Sequence, residues 1–157
     1  MQPIANGKIC YQNKNIKTFT LFEKAAYTKA VQMVFQDPYS SLNPRLTIGS
    51  AIAETIMVNK ICTTKLAAKQ LVLDLLQKVE LKPEHYNRYP HEFSGGQRQR
   101  IVIARALATN PQFMVCDESV SALDVSVQAQ ILNLLNDLKR TIGFTLLFIS
   151  HDLSVVQ

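Results

Sequence analysis

The sequence predicts an α/β fold built on a parallel sheet, and three observations predict it. Apolar runs at Val31 to Phe35, Phe113 to Cys116 and Phe144 to Ile149 lack the strict polar alternation of a half-solvated strand. Helical patterns separate them, giving the strand, helix, strand order of a sheet covered on both faces. Each run stops at polar residues: Gln36 after the first, Asp117 and Glu118 after the second, Ser150, His151 and Asp152 after the third. Ligands of open α/β sheets bind at the carboxyl ends of parallel strands, so these side chains are expected along one edge.

In chain order, a short strand is expected around Lys8 to Gln12 and a helix around Leu21 to Ala30. The strand at Val31 to Phe35 is cut by Gln36-Asp37-Pro38, and a turn-rich stretch runs on through Pro44. Thr47 to Asn59 reads as a helix that Thr47 can cap. Thr63 to Glu80 is a stronger helix, because Val72, Leu75, Leu76 and Val79 fall on one face. A loop carries Pro83, Tyr86, Tyr89, Pro90 and His91. Ser94 then opens a helix through Ala108. After the strand ending at Asp117, a helix begins near Asp124 with Val127, Ile131, Leu134, Leu135 and Leu138 on one side. Gly143 ends it.

With 157 residues the chain has room for one domain and a sizeable core. Hydrophobic residues make up 47% and charged ones 18%, which excludes a disordered chain. Its apolar runs fall far short of the ~20 residues of a membrane-spanning helix, and Met1 to Lys17 lack the apolar stretch of a secretory signal. Seventeen Lys and Arg against twelve Asp and Glu leave a formal charge of +5. That suits an anionic partner (nucleotide, nucleic acid or membrane surface) and equally a solvated basic face. Cys10, Cys62 and Cys116 have neither metal-ligand spacing nor an even count, which fits a reducing compartment.

Ser94-Gly95-Gly96-Gln97 offers bare backbone N–H groups, a hydroxyl and the positive end of a helix dipole, a ready phosphate site. The same tetrapeptide also reads as an ordinary helix cap with a flexible entry. Asp117 has the hard oxygen donors that Mg²⁺ takes, and Glu118 suits a base that orients or deprotonates an attacking water. Both also read as exposed acids at a strand end, and His151 by itself as a structural histidine.

Taken together, five motifs resemble those of ATP-binding-cassette (ABC) ATPases. Phe93-Ser94-Gly95-Gly96-Gln97-Arg98-Gln99-Arg100 with Ile103-Ala104-Arg105-Ala106-Leu107 resembles the signature motif. Val115-Cys116-Asp117-Glu118 resembles the Walker B strand, Ser121-Ala122-Leu123-Asp124 the D-loop, Ile149-Ser150-His151-Asp152 the switch-histidine loop, and Val34-Phe35-Gln36-Asp37-Pro38 the Q-loop. Val34 to Pro44 and Asn87 to Gln97 further resemble the ATP-binding subunits of dipeptide and oligopeptide importers.

The resemblance implies a partial P-loop NTPase (ABC ATPase) fold: one incomplete domain over 1–157, with a helical and signature subdomain at about 47–108 inserted in an ATPase core at 31–46 and 109–157. It implies ATP and Mg²⁺ as cofactors. Gln36 would contact Mg²⁺ and the attacking water, Asp117 would support Mg²⁺, Glu118 would be the catalytic base, and His151 would touch the γ-phosphate. Ser94, Gly95, Gly96 and Gln97 would bind ATP held by a second ABC ATPase subunit, in a homodimer or heterodimer, with Asp124 at the interface. Transmembrane permease subunits would be the other partners, which places the chain in the cytoplasm on the inner face of the plasma membrane.

The family's P-loop, G-x-x-x-x-G-K-[ST], is missing. Neither Lys-Ser nor Lys-Thr follows any of Gly7, Gly49, Gly95, Gly96 and Gly143. Gly7-Lys8-Ile9 resembles the strand after the P-loop helix, so the chain is expected to be a fragment that begins beyond that loop and is inactive alone. A sheet without that strand and helix exposes apolar surface, so the isolated chain is expected to be poorly soluble or partly molten. Ser119 stands where the family usually has proline. Two alternatives follow: a non-catalytic partner supplying the signature motif in trans to a complete subunit, or a non-functional gene remnant. A DNA-repair or chromosome-associated ABC ATPase is disfavoured because heptads and paired Cys-x-x-Cys are lacking, so no nucleic-acid partner is expected.

Overall fold

A computed structural model of the protein describes residues 7–151. The chain starts with a hairpin of β1 (Cys10–Tyr11) and β2 (Lys14–Asn15), shorter than the strand expected over Lys8 to Gln12. Gln12 and Asn13 both take positive φ, the turn that suits a two-residue antiparallel hairpin. Helix α1 (Leu21–Ala30) spans the expected residues. Thr20 Oγ1 accepts from the Glu23 N–H while the Glu23 carboxylate accepts from the Thr20 N–H, so each satisfies a helix-end donor.

Three parallel strands form the central sheet: β3 (Val31–Val34), β4 (Phe113–Asp117) and β5 (Thr145–Ile149), with β4 in the middle. Val34, Cys116 and Phe148 stand in one register row, so all three strands end at the same edge. The stretch after β3 is less irregular than expected. Pro38–Ser41 forms a short helix, α2, because Pro38 occupies its first turn and the Asp37 carboxylate accepts from the Tyr39 and Ser40 N–H groups. Helix α3 (Ile48–Val58) is capped by Thr47 as expected, whereas α4 (Lys65–Lys78) is capped by Thr64. The loop from Pro83 holds two 3₁₀ turns, Pro83–Asn87 and Pro90–Glu92.

Helix α5 (Gly95–Leu107) is the hub of the fold. Ile101, Val102, Ile103, Ala104, Ala106 and Leu107 are all buried, as are Arg98 and Gln99. It packs on α2, α3, α4, β3 and the last helix, α6 (Val125–Ile142). The α6 stripe is buried as expected at Ile131, Leu134, Leu135 and Leu138. Gly143 ends that helix at φ +86, a backbone that glycine adopts without steric cost.

The opposite sheet face is apolar and open. Met33 and Leu147 flank Val115 in register, and Met33, Leu147 and Ile149 are each 40% exposed or more. Among the described residues nothing covers this face, and β3 and β5 each pair only with β4. The apolar exposure expected from the sequence is therefore present.

His85 holds the helical region together. Its Nδ1 accepts from the Lys82 N–H at 3.2 Å and its ring packs edge-on to Phe93 at 5.3 Å. Burial, then the charge of Arg88, lowers its pKa from the ordinary 6.5. The unfolded chain therefore binds a proton more readily than the folded one, and stability falls as pH drops below 6.5. Urea midpoints at pH 7 and pH 5.5 are expected to show this loss, and His85→Asn is expected to flatten the slope while lowering both midpoints.

Candidate functional site

The sheet edge gathers side chains from three separate segments, as the strand register requires. Gln36 lies two residues past β3, Asp117 closes β4, Glu118 follows it, and His151 lies two residues past β5. His151 Nδ1 stands 3.3 Å from Glu118 Oε1, a contact that becomes an ion pair when the imidazole is protonated. Gln36 Nε2 donates to Ser121 Oγ at 3.1 Å, and that hydroxyl donates to the Glu118 carbonyl at 2.9 Å. Ser121 thus links Gln36 to the acidic turn. Residue spacing alone gives Ser121 no partner, because only folding brings residues 36 and 121 together.

Glu118 is held in an uncommon backbone. Its φ is +47, in the left-handed region that residues with a Cβ seldom adopt. The turn is fixed by bonds on both sides: Glu118 N–H donates to the Ile149 carbonyl at 3.0 Å, and Ser121 N–H donates to the Glu118 carbonyl at 3.0 Å. Glu118 lines a small cleft of about 40 Å³ together with His151, Ser150 and Gln128.

Asp117, Glu118 and Gln36 supply hard oxygen donors of the kind Mg²⁺ prefers. The described residues contain no group of three or more His, Cys, Asp or Glu able to hold a metal by themselves. A donor set this sparse fits Mg²⁺ that arrives with phosphate oxygens and keeps several waters, and it does not fit an all-protein cage.

Ser94 to Gln97 lie at the amino end of α5, where the structure shows the helix cap. Ser94 Oγ accepts from Gln97 N–H at 3.3 Å, and Gln97 Oε1 accepts from Ser94 N–H at 3.1 Å, a reciprocal cap. Gly95 and Gly96, in the first turn, have N–H groups without intrahelical acceptors. Asp124 precedes α6 as its cap residue, yet its side chain makes no cap hydrogen bond and is exposed. Asp152 lies outside the described residues.

The profile of the ABC transporter family matches residues 1–121 of this chain. The chain belongs to that family. Among its relatives, the oligopeptide transport ATP-binding protein OppF of Bacillus subtilis is 50% identical over 153 residues, covering 97% of this chain and 50% of that protein. The glutathione import ATP-binding protein GsiA of Pectobacterium atrosepticum is 58% identical over 127 residues, covering 81% of this chain and 20% of that protein. In structure, the ATP-binding cassette MJ0796, solved as a dimer in a post-hydrolysis state with ADP and Pi, superposes with a TM-score of 0.77 at 27% identity. It aligns over 96% of this chain and 65% of its own. The chain thus has an ABC ATPase fold and spans about half the length of the oligopeptide relatives and about a fifth of the glutathione one.

In this ABC chain Gly95 and Gly96 have a packing reason. A Cβ on Gly96 would meet Val127 Cγ1 at 2.5 Å, and one on Gly95 would meet Leu123 Cδ2 at 3.2 Å. Leu123 stands just before α6, and Val127 lies in its first turn. A helix-bound valine has one strongly preferred rotamer, so it cannot swing away cheaply. Gly96→Ala is expected to destabilise the fold, because overpacking of about 1–3 kcal/mol outweighs a helix-propensity gain of about 1 kcal/mol. Chemical denaturation reads the loss, and adding Val127→Ala is expected to recover most of it.

Proposed function

We propose that this chain is the signature and Walker B portion of an ATP-binding subunit of an ABC importer for di- or oligopeptides, in which ATP hydrolysis energises transport. The observation that carries the reading is the meeting of Gln36, Glu118 and His151 at one sheet edge, with His151 3.3 Å from Glu118 and Ser121 bridging to Gln36. Glu118 acts as base toward water, His151 and Gln36 orient the γ-phosphate and that water, and Asp117 supports Mg²⁺. Ser94 to Gln97 face nucleotide held by a second ABC ATPase subunit, with Asp124 at the junction. The peptide assignment rests on the names of the relatives.

The subunits are proposed to dock on transmembrane permeases at the inner face of the membrane. None of the described helices is long and apolar enough to cross a membrane. A second role is donation of Ser94 to Gln97 in trans to a complete subunit, supported by the Gly95 and Gly96 N–H groups left without intrahelical acceptors at the start of α5.

A chimera tests the main reading. Residues 7–151 replace the matching segment of the Bacillus oligopeptide subunit, and Mg²⁺-dependent ATP turnover is measured beside that of the unaltered chain. The chimera is expected to hydrolyse ATP and the chain alone to be inactive; turnover by the chain alone, or a dead but well-folded chimera, defeats the proposal. For the role in trans, co-purification with a complete subunit is expected, and Ser94→Arg is expected to abolish it.

A further inference from the structure

Helix α1 turns its most apolar side outward. The inward stripe is Glu23 and Tyr27: Glu23 pairs with Lys14, and the Tyr27 ring meets Tyr11 and Phe19 edge-on at 5.3 and 5.8 Å between centroids. Leu21 and Phe22 lie off that stripe and are 86% and 83% exposed, more than any other large hydrophobic residue described. Exposed Ala25 continues their side of the helix, four residues on from Leu21. A surface helix ordinarily turns its apolar residues to the core, and here no residue of α1 is buried.

The same segment concentrates positive charge. From Gly7 to Gln36 the charged residues are Lys8, Lys14, Lys17, Lys24, Lys29 and a lone acid, Glu23. That acid is already engaged, since Lys14 Nζ donates to its Oε1 at 2.6 Å and the Thr20 N–H to its Oε2 at 2.8 Å. Among the described residues Lys8, Lys17, Lys24 and Lys29 form no ion pair. Lys24 borders Leu21 at helical spacing, Lys29 follows Phe22 two turns on, and Lys17 is exposed in the turn Ile16–Thr18 that leads into α1.

We propose that the outward side of α1 is a lipid-contacting surface, with Leu21 and Phe22 entering the headgroup layer of an anionic membrane and Lys17, Lys24 and Lys29 meeting the lipid phosphates. The two features together select this partner. Nucleic acid would engage the lysines and leave Leu21 and Phe22 in water, and a neutral apolar groove would leave the lysines uncompensated. An anionic bilayer surface satisfies both, because it offers hydrocarbon beneath a layer of negative charge. The proposed docking on permeases brings the chain to a membrane, whereas this surface touches the lipid itself.

The test uses the full chain with neither permease nor nucleotide. The chain has no tryptophan, so Phe22→Trp places a single reporter on this surface. Vesicles of equal parts phosphatidylcholine and phosphatidylglycerol are expected to blue-shift its emission, and brominated lipid to quench it, with no change on phosphatidylcholine alone. In co-sedimentation with the anionic vesicles, Leu21→Ser and Phe22→Ser are each expected to weaken binding by about ten-fold, and Lys24→Gln by about five-fold. Salt at about 1 M, where the Debye length falls to about 3 Å, is expected to weaken it as well. Met33→Ser, on the open sheet face, is expected to leave binding unchanged. Equal binding to neutral vesicles, binding retained by both the Leu21 and Phe22 variants, or binding lost through Met33→Ser overturns the proposal. If the chain alone does not stay in solution, the chimera carries the same substitutions, with the reporter read as the difference from the chimera without it. A reporter already blue-shifted there before vesicles are added shows that polypeptide covers the surface, and also overturns the proposal. An inactive chimera defeats the proposed function, while the vesicle measurements still decide the lipid surface.

Discussion

Glu118→Gln in the chimera is expected to cut ATP turnover by about 100- to 10,000-fold, the range that a positioned general base contributes. Glutamine keeps the size and shape of the side chain, so the turn at φ +47 and the bonds of Ser121 are retained. It cannot take a proton from water. Nucleotide binding is therefore expected to survive while hydrolysis fails, and the two are separated by measuring ATP affinity beside turnover. His151 stands 3.3 Å from the lost carboxylate oxygen, and its contact becomes one between neutral groups. Turnover at the parent rate in the Glu118→Gln variant removes Glu118 from the role of base.

Ile103→Ala is expected to cost about 2–5 kcal/mol, the range for deleting a large aliphatic side chain from a packed core. Ile103 is fully buried in α5, a helix with neighbours on almost every side, so its surroundings have little freedom to close on the hole. Set against a typical domain stability of about 5–15 kcal/mol, such a loss is severe. The open sheet face adds to the risk, since Met33, Leu147 and Ile149 are only partly buried. Urea denaturation of the chain and its variant gives the difference directly. A shift below about 1 kcal/mol, the scale of a well-tolerated hydrophobic swap, shows that α5 is not the hub that its burial implies.

Much of the architecture was legible in the order of residues because the forces that set it are local or periodic. The stripe Ile131, Leu134, Leu135 and Leu138 has helical spacing, and the structure buries all four. Gly143 marks a helix end because a left-handed residue is needed there. Thr47 and Ser94 cap helices through hydroxyls that reach backbone N–H groups three residues on. The small element α2 escaped notice, since four residues carry no periodic signal and their helix depends on the Asp37 cap and on the Arg105 guanidinium donating to the Ser41 carbonyl. Helix α4 starts at Lys65 behind the Thr64 cap, two residues after the expected Thr63, the ordinary ambiguity of a helix end.

By itself the sequence determined the strand and helix order, and so which polar residues end up at the carboxyl edge: Gln36, Asp117, Glu118 and His151. A parallel sheet aligns strand ends whatever the loops between them do. The tertiary structure alone decided the contacts that depend on residues far apart in the chain. These are the Gln36–Ser121 bond, the approach of Gly96 to Val127, the open face of the sheet, and the burial of the Gln99 carboxamide. Such contacts follow from distances between packed elements, and no residue spacing encodes a distance across a core.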